Sequence, residues 1–322
     1  MMNTGARRGI LPVRALALKR DVASTRASEV HGAKSMSQPA PKVAILPHEM
    51  KLGLRPGAIP LANLIWPLGR PDGVDGCTLG DLEARDHLIV FPRKSLHWRP
   101  SFGTRARVSV MVLEPEAIHG AHLRALRRSH KRFYKVLSHN SALLSAIPNG
   151  EFFPFGSTWV TEWRDLDTQK TRMISLIASN KRSQEGHLLR HRIVEWAGSA
   201  EVDMDVMGRG YKPFAAKSDG LAPYRYSVVV ENVRERNYFT EKLVDAVLCR
   251  TVPIYWGCPN IGDFLDTSAM IVCETAAEVQ AAILAASTED YEARVGALEA
   301  MQGAAAEYGD LYGRAVRAVL GA

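Results

Sequence analysis

Residues 224–256 read YRYSVVVENVRERNYFTEKLVDAVLCRTVPIYW. A mostly apolar run at 224–230 leads into a charged loop, then into a helical pattern at 240–250 and a second apolar run at 251–256. Short apolar runs joined by a helix are typical of parallel strands that are buried on both faces. This stretch therefore predicts a strand, a helix and a second strand of an α/β layer.

The same pattern continues on both sides of this unit. Further strands are predicted at 42–47, 87–91, 107–113, 133–137, 172–178, 202–207 and 269–273. Helices are predicted at 116–132, at 186–196 and from the capping box at Thr275 to the end of the chain. Proline, glycine and aromatic residues interrupt the pattern at 146–168, where we expect the chain to cross between two domains.

These elements predict an α/β protein with two Rossmann-like domains that face a cleft. The first domain is expected at 41–155 and the second at 156–322. Ligands of open α/β sheets bind beyond the carboxyl ends of the strands, so functional side chains are expected there.

The charge distribution argues against a nucleic-acid binder. The formal net charge is +7, but residues 1–40 hold seven basic and two acidic residues, which leaves +2 for residues 41–322. That body is nearly neutral and contains no zinc-finger, helix-turn-helix or RNA-recognition signature. The tail at 1–40 is predicted to be disordered, with a transit peptide or a membrane-surface arm as alternatives.

The cysteines predict neither a disulfide framework nor a structural zinc site. They lie far apart, without a CxxC pair or a His cluster at zinc spacing, at Cys77, Cys249, Cys258 and Cys273. A reducing, cytoplasmic location is therefore expected. No apolar run reaches the ~18 residues of a membrane span, so the basic tail is the candidate for peripheral membrane contact.

The predicted helix start near Thr240 is a candidate anion site. The first turn of a helix has unpaired N–H groups and a positive dipole end, which suit a diphosphate. Lys242 lies in that turn, where a cation is unfavourable, so its presence suggests a bound anion; the alternative is that Lys242 faces solvent. Pro253 disfavours a regular central strand at 251–256.

Three motifs make this stretch specific. They are Val230-Glu231-Asn232, Tyr238-Phe-Thr240-Glu241-Lys242 and Val252-Pro-Ile-Tyr-Trp-Gly-Cys-Pro259. Their order and spacing resemble the donor-domain signature of the family 10 glycosyltransferases, the α-1,3/4-fucosyltransferases, although Val230 replaces the usual aromatic residue. The resemblance implies a GT-B arrangement of the two domains. It also implies donor contacts for Glu231, Asn232, Tyr238, Thr240, Glu241 and Lys242.

Upstream segments extend the resemblance more weakly. Ser179-Asn180 followed by Arg190 is similar to a family segment that sets an arginine against the donor diphosphate, with Arg192 as the alternative. The glycine turn that ends at Tyr211 resembles one that brings a tyrosine near the nucleotide.

The pair Asp203 and Asp205 has the spacing of a metal-binding DxD motif. It is interpreted as a strand end, because the family does not use this motif to bind its donor. We therefore expect no metal requirement and no cofactor other than the donor substrate.

The carboxylate Glu114 follows a predicted strand in the N-terminal half. The fucosyltransferase family that this chain resembles carries its general base at the end of a comparable strand. The resemblance therefore makes Glu114 the candidate base. Glu116 and His119 are close enough in sequence to be rivals, and the alternative for Glu114 is an acid at a helix start with no catalytic role.

The resemblance implies transfer of L-fucose from GDP-fucose to a glycan hydroxyl with inversion. The expected partners are a nucleotide sugar and an oligosaccharide acceptor, without nucleic acid. Arg190 and Lys242 would stabilise the leaving diphosphate, and Asn232 and Glu241 would bind the sugar or ribose. The alternatives are another nucleotide sugar on the same fold, or a carbohydrate- or nucleotide-binding module without catalysis.

Overall fold

A computed structural model of the chain describes residues 40–321. The predicted basic tail at 1–40 and its suggested membrane contact lie outside the described residues, except for Ala40. Between residues 40 and 321, no helix has both the length and the apolar character that a membrane crossing requires.

The N-terminal half builds a parallel sheet of five short strands in the chain order β1-β2-β3-β4-β5. The strands are Val43–Ile45, His87–Val90, Arg107–Val112, Val136–Ser138 and Gly150–Phe152. All residues of β1, β2 and β4 are buried, as the apolar runs predict for a sheet that is covered on both faces.

The strand order determines how the two faces of this sheet are covered. Right-handed crossovers between strands that follow one another in chain order all pass over the same face. Helices α1 (Glu116–Ser129) and α2 (Ser141–Leu144) lie there. The opposite face packs against α7 (Leu311–Leu320), the last helix of the chain. The predicted C-terminal domain at 156–322 includes this helix, whereas the structure places it on the N-terminal sheet.

The C-terminal half builds a second parallel sheet, in the order β10-β9-β8-β6-β7. Its strands are Arg172–Ile177, Asp205–Met207, Tyr224–Val230, Val252–Trp256 and Ile271–Val272, numbered β6 to β10. Its helices are Glu185–Ser199, Glu241–Leu248, Ala276–Ala285 and Thr288–Gly309, numbered α3 to α6. The predicted α/β fold with two Rossmann-like halves is confirmed.

The second sheet has a topological switch point between β6 and β8. From β6 the chain runs through α3 to β7 on one side, and from β8 it runs through α4 to β9 on the other side. A crevice opens at the carboxyl ends of strands where the order reverses in this way. The starts of α3 and α4 both meet this crevice.

Two local features differ from the sequence predictions. Strand β5 lies within the segment 146–168, which was predicted as a crossing; it is short, partly exposed and on the sheet edge, so it lacks an apolar run. Pro253 lies inside the regular strand β9, which pairs on both sides. Pairing with β10 begins only at Ile254, one residue after the proline, so no ladder donor is lost there.

Candidate active site

A cleft of about 1040 Å³ lies between the two halves. Glu114 and Ile118 line it from the N-terminal half, and Phe155 and Trp159 line it from the crossing segment. The rest of the lining comes from the ends of β6 and β8, the first turns of α3 and α4, and the loop 208–217. The cleft therefore coincides with the switch point of the second sheet.

Glu231 lies beneath the cleft and holds the two ends of the loop between β8 and α4 together through hydrogen bonds. Its side chain has no exposed surface, and one oxygen accepts from the backbone N–H of Thr240 at 2.8 Å. The other oxygen accepts from the Thr240 hydroxyl, also at 2.8 Å. Both residues were predicted to contact the donor; Thr240 does line the cleft, whereas Glu231 lies beneath it and holds the loop.

Lys242 lines the cleft and forms ion pairs with the carboxylates of Glu231 and Glu241. Its Nζ lies 3.5 Å from Glu231, 3.3 Å from Glu241 and 3.0 Å from the Thr240 hydroxyl. Burial opposes its charge, but the two carboxylates outweigh this effect and raise the pKa of Lys242. The protein itself thus compensates the charge of Lys242, so the presence of this cation is no evidence of a bound anion.

The start of α4 is capped by a side chain of its own segment. The Thr240 hydroxyl caps the helix by accepting from the N–H of Lys242 at 3.3 Å. Burial alone would raise the pKa of Glu241, but the positive charges of Lys242 and Lys217 outweigh this effect and lower the pKa to about 2. Glu241 is thus an anion at physiological pH and lines the cleft.

Arg190 joins α3 to the end of β8. Its guanidinium donates to the carbonyl of Val230 at 2.8 and 3.1 Å and to the side-chain oxygen of Asn232 at 3.3 Å. The amide nitrogen of Asn232 donates to the hydroxyl of Tyr238 at 3.4 Å. The structure therefore brings three of the predicted donor residues together at one wall of the cleft. Arg192, the predicted alternative, is exposed and lines a separate small pocket.

Gly186 permits the close approach of α3 to β8. A Cβ at this position would lie 1.7 Å from the carbonyl oxygen of Glu231. The Gly186 N–H donates to the carbonyl of Asn232 at 2.9 Å, which joins the first turn of α3 to the strand end. The positions of Arg190 and of the loop after β8 therefore depend on this contact.

Glu114 lines the cleft two residues after the end of β3. Its Oε2 is buried and has no hydrogen-bond partner among the described residues. Burial raises the pKa of Glu114; Lys242 lowers it and Glu241 raises it, so the carboxyl senses the charges of the opposite wall. A partly desolvated carboxylate with a free oxygen suits a general base.

The two rivals of Glu114 lie elsewhere. Glu116 is exposed at the start of α1, and neither it nor His119 lines the cleft. Burial, followed by the positive field of neighbouring histidines and Arg93, lowers the pKa of His119 to about 4. The geometry therefore favours Glu114 over both.

Tyr211 supports the cleft wall from behind. Its hydroxyl lies 2.7 Å from Nδ1 of His191, whose Nε2 donates to the carbonyl of Lys181 at 3.0 Å. Tyr211 is not part of the cleft lining, whereas Lys181 is. The tyrosine predicted to lie near the nucleotide therefore positions the loop after β6.

The DxD-like pair, Asp203 and Asp205, lies at the start of strand β7. Asp205 begins β7, pairs with Arg172 at 2.6 Å and accepts from the Tyr224 hydroxyl at 2.8 Å. Neither Asp203 nor Asp205 lines the cleft. Within residues 40–321, no group of three or more His, Cys, Asp or Glu side chains is placed to hold a metal ion.

Sequence reasoning missed several polar side chains of the cleft, among them Lys181, His187 and Arg209. Lys181 and Arg209 are exposed and form no ion pair among the described residues. Burial, Arg190 and Lys181 lower the pKa of His187 to about 4, so its imidazole is neutral. Lys181 directly follows the Ser179-Asn180 segment, the one sequence signal that pointed to this wall.

Two Rossmann-like halves with a cleft at the switch point of the second sheet define the GT-B class of architecture. Residues 167–288 match the model of the C-terminal domain of glycosyltransferase family 10, the fucosyltransferases. The predicted resemblance to family 10 is confirmed for this segment, which is less than half of the chain. The class of enzyme that the domain defines is the glycosyltransferases.

Individual proteins show more limited similarity. A segment of 55 residues is 40% identical to the α-(1,3)-fucosyltransferase FucT of Helicobacter pylori, and it spans 17% of this chain and 12% of that relative. An α1,3-fucosyltransferase crystallised with GDP-fucose is 16% identical, with a TM-score of 0.47 over 83% of this chain and 84% of that chain. TarM is 11% identical, with a TM-score of 0.47 over 74% and 55%.

Proposed function

We propose that this protein transfers L-fucose from GDP-fucose to a hydroxyl of a glycan acceptor, with inversion at the sugar. One observation carries the proposal: Glu114, whose buried Oε2 has no hydrogen-bond partner among residues 40–321, lines the same cleft as Arg190 and Lys242. A base and a cationic wall on opposite sides of a cleft suit a direct displacement between an acceptor hydroxyl and a diphosphate.

In this proposal Glu114 is the general base. The acceptor oxygen attacks the anomeric carbon of fucose and loses its proton to Glu114. The bond from that carbon to the β-phosphate oxygen breaks, and GDP leaves with the electron pair. Because burial raises the pKa of Glu114, the carboxylate is a stronger base than an exposed glutamate.

The leaving diphosphate is stabilised by side chains in this proposal. Lys242 lines the cleft, and Nη1 of Arg190 has no protein partner among residues 40–321. Lys181 and Arg209 add unpaired positive charge to the same wall. These cations take the role of a metal ion, so no metal is required.

Asn232 and Glu241 bind donor hydroxyls in this proposal, with Tyr238 beside Asn232. The carboxylate of Glu241 remains ionised because Lys242 and Lys217 hold its pKa low. It can accept hydrogen bonds from sugar or ribose hydroxyls without competing as a base, which separates its role from that of Glu114.

The test combines a donor screen with product analysis. Thermal unfolding with GDP, UDP and their sugars identifies the nucleotide, since ligand at about 100 times its Kd adds about 2.7 kcal/mol of stability. Transfer to a panel of glycans, followed by linkage analysis, then identifies the reaction. Stabilisation by UDP alone would assign another donor, and GDP-fucose binding without transfer or hydrolysis would assign a binding module.

A matched pair of variants tests the base. Glu114→Gln should bind GDP-fucose but lose transfer, because the amide cannot accept the proton. Glu116→Gln, two residues away and outside the cleft lining, should keep both the binding of GDP-fucose and the transfer reaction. Loss of transfer in Glu116→Gln with retention in Glu114→Gln would reverse the assignment.

A further inference from the structure

The loop between β8 and α4 binds the opposite half of the molecule. We call residues 231–240 the donor loop, since Asn232, Tyr238 and Thr240 line the cleft from it. Two further side chains of this loop, Glu235 and Asn237, turn away from the cleft and hydrogen-bond to the N-terminal half. These contacts connect the wall proposed to bind the donor with the domain that carries Glu114.

Glu235 caps α1 from across the cleft. The residue before α1 is Pro115, which has no side-chain donor or acceptor and leaves the first amides of the helix without a local cap. The N–H of Glu116 donates to Oε2 of Glu235 at 2.8 Å. Oε1 of Glu235 accepts from Nε2 of His139, just after β4, at 3.0 Å. A carboxylate at a helix start is also favoured by the helix dipole.

Asn237 fixes the same loop by a second set of contacts. Its side-chain nitrogen donates to the carbonyl of His139 and to the hydroxyl of Ser141, both at 3.2 Å. Its side-chain oxygen accepts from Asn260 at 2.8 Å, and its backbone N–H donates back to Asn260 at 2.9 Å. Asn237 has a φ of +64°, a left-handed conformation that asparagine tolerates better than most residues.

We propose that Glu235 is a positioning residue that sets the proposed base, Glu114, against the donor loop. Glu114 precedes Glu116 by two residues, with only the rigid Pro115 between them. Strand β3 holds one side of Glu114 and the capped helix start holds the other. The inference rests on the proposed function, since it assigns Glu235 a role only if Glu114 takes the acceptor proton.

The charged neighbours of Glu235 show that this contact is particular to it. Arg234 pairs with Glu274 at 3.1 Å and Arg236 approaches Asp263 at 4.0 Å, both within the C-terminal half. Glu235 alone among the three points to the other half, with a side chain that is 20% exposed. Burial opposes its charge, but hydrogen bonds from His139 and the Glu116 amide outweigh that effect and lower the pKa of Glu235.

The test compares Glu235→Ala with Glu274→Ala. The control removes the partner of Arg234, so it perturbs the same loop without touching the N-terminal half. Glu235→Ala should lower kcat at least about ten-fold, because a displacement of about 1 Å can cost a hundred-fold in rate. The Kd for GDP should stay within two-fold of wild type. Glu274→Ala should leave both values unchanged.

A double-mutant cycle asks whether Glu235 acts through Glu114. In a Glu114→Gln background, Glu235→Ala should cause no further loss of the residual rate, because the base is already absent. An equal loss in both backgrounds, a wild-type rate for Glu235→Ala, or a parallel loss of GDP binding would each overturn the proposal. Glu235→Gln keeps an acceptor for the Glu116 amide and should recover part of the rate.

Hydrogen exchange separates this inference from the proposed function. The Glu116 amide should exchange faster in Glu235→Ala than in wild type or Glu274→Ala, whether or not transfer is detected. Unchanged exchange would show that Glu235 does not hold α1. Wild-type protein that transfers no sugar while its exchange behaves as expected would refute the proposed function and the catalytic role of Glu235, while confirming the contact itself.

Discussion

Two glycines on α3 should respond in opposite directions to the same substitution. Gly186 lies in the first turn, where a Cβ would be 1.7 Å from the Glu231 carbonyl oxygen. Gly198 lies in the last turn of the same helix, is exposed, and has no heavy atom within 4 Å of an added Cβ. Gly186→Ala should therefore destabilise the protein, and Gly198→Ala should stabilise it.

The magnitude follows from the geometry. Real Cβ contacts do not fall below 3.0 Å, so Gly186→Ala must move the helix start about 1.3 Å from β8. Inserting a methyl group into such a contact costs about 3 kcal/mol, the upper part of the usual range, because the opposing atom is backbone. Alanine recovers up to about 1 kcal/mol of helix propensity, which leaves a net loss of about 2 kcal/mol. Gly198→Ala gains about 1 kcal/mol without an opposing contact.

Urea unfolding and thermal unfolding measure both changes. A protein of 322 residues shifts its Tm by about 1.5 °C for each kcal/mol, so Gly186→Ala should lose about 3 °C and Gly198→Ala should gain about 1.5 °C. The folded Gly186→Ala protein should also bind GDP more weakly, because Arg190 lies one turn further along α3. A Gly186→Ala protein with wild-type stability would refute the close packing of α3 against β8.

Three further predictions concern the site and the last helix. The proposed base must be ionised, so kcat/KM should rise with pH through a pKa above that of an ordinary glutamate, and this acid limb should vanish in Glu114→Gln. Lys242→Met leaves two buried carboxylates without their shared cation and should lower the free energy of unfolding by about 3 kcal/mol, with at least about ten-fold weaker GDP binding by calorimetry. Wild-type GDP affinity would contradict this role. Arg314→Met removes the donor to four backbone carbonyls at the crossing and at the end of α6, so urea unfolding should show a loss of about 3 kcal/mol with unchanged GDP affinity.

The strands could be predicted because a parallel sheet covered on both faces needs apolar runs. The run at 224–230 became β8, and even Pro253 did not prevent the prediction of a strand at 251–256. The position of α7 could not be predicted, because its apolar face shows only that it needs a partner. Which partner it finds depends on the strand order of the first sheet, which leaves one face without crossovers.

Within the site, features that depend on a few neighbouring residues could be read from the sequence. These are the helix start near Thr240 and the position of Glu114 after a strand. It failed where contacts join distant segments. Glu235 and the Glu116 amide are 119 positions apart, so no spacing rule could connect them. The burial of Glu231 beneath the loop likewise depends on the full fold.

The amides at the start of α4 determine whether this helix can bind an anion directly. A helix start usually binds phosphate through free amides. Here the Lys242 amide donates to the Thr240 hydroxyl and is not free. Lys242 and Arg190 also face two carboxylates, Glu231 and Glu241, so these four side chains balance one another in charge.

Positive charge outside this balanced group would therefore add to the attraction that Arg190 and Lys242 exert on a diphosphate at close range. Lys181 and Arg209 line the same wall and form no ion pair among residues 40–321. Neither belongs to the motifs that carry the family resemblance. On the proposed function, Arg190 and Lys242 contact the diphosphate from within a group of nearly zero net charge, and these two exposed cations add long-range attraction for it. Donor affinity should then depend on residues outside the motif as much as on those within it.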